Sequence, residues 1–91
     1  MATNDYVSQA EQIVQKVLEV GRAVSAQHSD VASLAIIIAA TQEVEKIIDP
    51  TSAVGRILVA NVLEQVAWKL GNAHSGFHQV RDAATKLNPR R

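Results

Sequence analysis

Residues 34–40 read Leu-Ala-Ile-Ile-Ile-Ala-Ala, seven apolar side chains in unbroken succession within a chain of 91 residues. A helix advances about 100° per residue, so seven successive positions reach every side of it and leave none obviously wet. The run falls well short of the roughly 20 apolar residues that a bilayer-spanning helix requires, and Gln42, Glu43, Glu45 and Lys46 follow at once. No membrane span is expected, and the segment belongs in a protein core or a partner interface. On the wheel of a helix over 31–48, Leu34, Ile37, Val44, Ile47 and Ile48 form a broad face, with Ile36 at one edge and Ile38 at the other. Ala35 and Ala39 share the opposite side with Gln42, Glu43 and Lys46. An apolar arc about 200° wide exceeds the roughly 100° stripe of a simple surface helix, so this helix needs neighbours on both flanks.

Outward from this run the periodicity stays helical. Before it, Tyr6, Ala10, Ile13, Val17, Val20 and Val24 recur at alternating spacings of four and three, an a/d seam that Val7 and Val14 widen. Thr3 or Asn4 can cap that first helix, which should fade near Gln27, and Ser29 and Asp30 are cap residues for the second. A connection this short sets the two helices antiparallel. After the run, Asp49-Pro50 makes the sharpest break, because proline disfavours helical geometry in its predecessor yet suits the first turn of a new helix. A third helix then runs to about Leu70 on the seam Val59, Val62, Leu63, Val66 and Leu70; Gly71 and Asn72 supply a stop and a new cap. A fourth, from about Ala73 or Gly76 to Leu87, carries Ala73, Phe77, Val80, Ala84 and Leu87. The expected fold is all-α, an antiparallel four-helix bundle in a single domain over 1–91. The seams also run nearly in phase across Gly71, and the alternative is three helices with a long bent C-terminal one.

Composition sharpens what such a bundle must do. Hydrophobic residues make up 47% of the chain and only Tyr6, Trp68 and Phe77 are aromatic, so the apolar material is nearly all Ala, Val, Ile and Leu. A domain of this size hides only about 60–65% of the surface its unfolded chain exposes. That imbalance points to self-association or a partner protein, as a homodimer or half of a hetero-complex. The net charge is zero, which offers no nucleic-acid or anionic-membrane footprint. Residues 1–50 hold seven acids against three bases, and residues 51–91 two acids against six bases; the expected reading is attraction between the halves within one bundle, and the alternative is a basic tip of Lys86, Arg90 and Arg91 meeting an acidic patch on another chain. Cysteine is absent, which excludes disulfides. The opening MATNDYVSQAEQ has no basic and apolar leader pattern, so the expected location is cytoplasmic, with signal-less export left open. The chain shares size and helicity with the signal-less secreted helical hairpins marked by Trp-x-Gly. Its Trp68-Lys69-Leu70-Gly71 is one residue too long and falls late in the chain, so that family is not carried over.

No catalytic signature stands out, and the expectation leans away from an enzyme. Glu43 and Glu45 lie about 200° apart on their helix and cannot share a cleft. The serines lack a nucleophile-elbow context, and Gly55, Gly71 and Gly76 form no phosphate-cradling loop. His74, His78 and Asp82 fall at i, i+4 and i+8, a spacing at which two imidazoles can converge on zinc. In an antiparallel bundle His28 lies at the same end and would complete the site. Because His74 and His78 turn away from the Phe77–Val80 seam, the ordinary reading is a solvated pair with no cofactor. The better candidate is on the third helix, where Ile57 and Trp68 lie about 160° and 180° from Val59, with Asn61 and Glu64 between them. Apolar ends, a polar centre and a tryptophan describe an interaction stripe. Ile57, Asn61, Glu64 and Trp68, with Ile36 or Ile38 beside them, are the expected contact residues of an adaptor, an inhibitor or immunity-type protein, or a small assembly subunit. A metal- or ligand-binding bundle built on His28, His74, His78 and Asp82 is the alternative.

Overall fold

The punctuation of the sequence becomes four helices in the computed structural model, which describes residues 2–27, 31–71 and 77–87. In chain order they are α1 (Ala2–Gln27), α2 (Ala32–Glu45), α3 (Ala53–Leu70) and α4 (Phe77–Leu87), and no strand occurs among the described residues. Residue pairings fix the directions. Lys16 on α1 meets Glu43 on α2 at 3.6 Å, while Gly21 meets Ile36, so numbers rise along α1 as they fall along α2. Trp68 lies beside Arg81 and Val59 shares a groove with Leu87, which makes α3 and α4 antiparallel too. α2 and α3 each pack against all three other helices, whereas α1 and α4 are not in contact among the described residues. The cross-section is therefore a rhombus, with α2 and α3 on the short diagonal. α1 alone, at about 1.5 Å per residue, accounts for the 39 Å long axis.

Gly71 ends α3 with φ 84° and ψ 155°, a region essentially reserved for glycine, and its N–H donates to the Ala67 carbonyl at 3.0 Å. The third and fourth seams are thus cut at Gly71, and the one-long-helix alternative does not occur. At the other end of α3 the break falls two residues later than the proline suggests. Pro50 and Thr51 form the turn, and Ser52 caps the helix, its hydroxyl oxygen accepting from Gly55 N–H at 3.0 Å. Such a cap contributes about 1 kcal/mol. The Asp49 carboxylate accepts from both the N–H (2.9 Å) and the hydroxyl (2.7 Å) of Thr51, and these bonds hold it below its ordinary pKa. The expected caps of the second helix, Ser29 and Asp30, lie outside the described residues; Val31 takes the cap position and makes no side-chain bond there.

The core sits where the helices meet and is built from Ile13, Val14, Val17 and Leu18 of α1, Ile36, Ala40 and Val44 of α2, Val59, Val62, Leu63, Val66 and Ala67 of α3, and Val80 and Ala84 of α4. Two helices differ in part from expectation. On α1 the expected Ile13, Val14 and Val17 are buried, but the buried side takes in Leu18 and Gly21 as well, and Val20 is left 38% exposed. On α2 the buried side centres on Ile36, Ala40 and Val44, while Leu34 is 57% exposed. One cause serves both. Gly21 and the buried Ala32, Ala40, Ala60, Ala67 and Ala84 let backbones approach closely, and close approach selects small residues over bulky ones at the crossings.

Candidate interaction surface

The outer face of α3 follows from how much of that helix the bundle consumes. Its buried positions, Gly55, Val59, Ala60, Val62, Leu63, Val66 and Ala67, cover about 160° of the helical wheel. Opposite them lie Val54, Ile57, Asn61, Glu64 and Trp68, separated by three, four, three and four residues. That is a two-heptad seam about 21 Å long, turned outward. Val54 is 61% exposed and Trp68 64%, Asn61 and Glu64 are exposed, and Ile57 is half-buried. Asn61 Oδ1 accepts a 3.2 Å bond from Gln65 Nε2, which fixes the amide at the middle of the seam. From α4, the Arg81 guanidinium lies over the Trp68 ring, 5.7 Å from its centroid. At that distance a cation–π attraction of about 0.5–1 kcal/mol holds the indole against its neighbour.

Four of the six expected contact residues thus share one face, and two do not join them. Ile36 is fully buried, its Cγ1 and Cδ1 packed against Gly21, so it belongs to the core and offers nothing to a partner. Ile38 is 47% exposed, but on the outer face of α2 with Val31 and Leu34. Because the buried sides of α2 and α3 face each other across the short diagonal, their outer faces point in opposite directions. Two members of the α3 surface went unread in the sequence. Val54 is one further step of the same seam and was legible by extending it three residues back. Arg81 comes from another helix, and no spacing on α3 points to it.

Of the expected metal site, His28 and His74 lie outside the described residues. His78 and Asp82 occur on the exposed side of α4, and among the described residues no three metal-ligating side chains gather. The acid–base cluster around Glu43 is structural. Glu43 receives Lys46 Nζ at 2.9 Å and Lys16 at 3.6 Å. The Lys46 hydrogen bond, aided by the charges of both lysines, holds its carboxyl below the ordinary value against a smaller opposing effect of burial. No described helix is long and apolar enough to cross a membrane. No protein-family model matches the chain, and neither a curated protein nor a solved structure is significantly similar to it.

Proposed function

We propose that the chain is a non-enzymatic interaction module that pairs with a second copy of itself through the outer face of α3. The exposure of Trp68 carries this reading. A tryptophan 64% open to water, at the end of a regular apolar–polar–apolar seam and braced by an arginine, combines the residue types most enriched in binding hot spots. The seam also suits antiparallel pairing with its own copy. A two-fold axis at Asn61 sets Trp68 of each copy on Val54 of the other and brings the two Asn61 amides together, the kind of central polar contact that fixes register. An adaptor, an inhibitor or a small assembly subunit would all use such a face. Sedimentation equilibrium from about 1 to 500 μM tests it, with Trp68→Glu beside the wild type. A dimer is expected, with its dissociation constant raised at least about 30-fold by a substitution that places a charge at a hot spot and leaves helicity unchanged. A wild type that stays monomeric throughout, or a variant that dimerises equally well, refutes the pairing.

A further inference from the structure

Thr41 of α2, Pro50 and Thr51 of the turn, Arg56 and Val59 of α3 and Leu87 of α4 line an open groove of about 420 Å³. That is the size of a small-molecule site, and its lining has the usual character, an apolar body with a few polar groups. The polar groups are unequal. The Thr41 hydroxyl donates to the Ile37 carbonyl at 2.9 Å and the Thr51 hydroxyl to the Asp49 carboxylate at 2.7 Å, so both protons are committed. The Thr51 N–H is spent on Asp49 as well, and Pro50 has none. Arg56 is exposed, and its guanidinium makes no ion pair or hydrogen bond among the described residues. Among the described lining residues it is the one side chain with donors to give. A smaller groove of about 190 Å³ beside Gln9, Gln12 and Ile13 makes the contrast, since both of its lysines already serve Glu43.

We propose that this groove binds a small amphiphilic monocarboxylate of the medium-chain fatty-acid type, its tail on Pro50, Val59 and Leu87 and its head on Arg56. A carboxylate matches the planar fork of a guanidinium in two parallel charge-assisted hydrogen bonds, whereas an alcohol would accept only a single uncharged bond there and an ammonium would be repelled. The groove is separate from the outer face of α3, so this site stands or falls independently of the pairing there.

Titration with sodium octanoate, followed by calorimetry and by amide chemical shifts, tests the site. Saturable binding is expected, with shifts centred on Thr41, Thr51, Arg56, Val59 and Leu87, and none with octanol or octylamine. Arg56→Gln should weaken octanoate at least about tenfold at unchanged melting temperature, and Arg56→Lys should fall between, keeping the charge but losing the fork. Absence of saturable shifts, or an Arg56→Gln variant that binds as before, overturns the assignment. Tighter binding of octyl sulfate than of octanoate overturns the choice of carboxylate.

Discussion

Gly55 shows how much one position in the second half of the chain is asked to do. It stands in the first turn of α3, where an added Cβ would overlap the Asp49 carbonyl oxygen and come within 2.8 Å of the Pro50 Cα. These are backbone atoms and cannot rotate aside. The same Asp49 carbonyl accepts the Ser52 N–H at 3.1 Å and the Ser52 hydroxyl at 2.6 Å, so opening the turn also disturbs the cap of α3. In an unconstrained helix Gly→Ala stabilises by up to about 1 kcal/mol. Here Gly55→Ala should destabilise by about 2–4 kcal/mol in urea unfolding, from overpacking plus the lost cap, so the sign of the change decides. From sequence alone Gly55 reads as a small residue early in a helix, because the atom it must avoid belongs to a turn six residues back.

Among the elements, the crossing of α1 and α2 decides which residues face inward. A Cβ at Gly21 would lie 2.8 Å from Ile36 Cγ1 and Cδ1, and Ile36 has no solvent to retreat into. Gly21→Ala should therefore cost about 1–3 kcal/mol. Ile36→Val, which removes Cδ1, should cost about 0.5–1.5 kcal/mol alone. Combined, the two should cost at least about 0.5 kcal/mol less than their sum, and strict additivity in a double-mutant cycle would show that the contact does not limit the approach. This crossing also explains where the reading of the seven-residue run departed from the fold. Hydrophobicity ranks Leu34 and Ile38 as core candidates above Ala32 and Ala40, but a close crossing leaves room for alanine and pushes the longer side chains out. On α3, flanked by three helices, the seam Val59, Val62, Leu63 and Val66 was legible because a wide buried arc takes in large and small residues alike.

For the whole molecule, two carboxylates among the described residues are held ionised by the fold and make stability respond to acid. Glu43 links α1 to α2 through Lys16 and anchors Lys46, and Asp49 closes the turn into α3. Both have pKa values below their ordinary 4.5 and 3.8, so the folded state takes up protons less readily than the unfolded one. Their contribution is fully present above those values and is lost as pH falls through the lowered ones, so stability should decline from about pH 4.5 downward. Glu43→Gln should flatten that decline and change little at pH 7, since the pair is at the surface and contributes at most about 1 kcal/mol. A variant whose melting temperature falls with pH as steeply as the wild type's would remove Glu43 from the account. The sequence by itself determined the all-α class, the near boundaries of the helices and their order, because periodicity, proline and glycine act over a few residues and declare themselves locally, whereas the cut at Gly71 that makes four helices and not three was settled by the backbone there. The sequence also placed Ile57, Asn61, Glu64 and Trp68 on one face, which is a matter of rotation about a single helix. Only the tertiary structure decided which faces were spent on the core, that Ile36 is buried and Ile38 turned away from Trp68, and that Arg81 and Arg56 sit where they do. Those outcomes depend on distances between helices, and the size of a residue at a crossing counts there for more than its hydrophobicity.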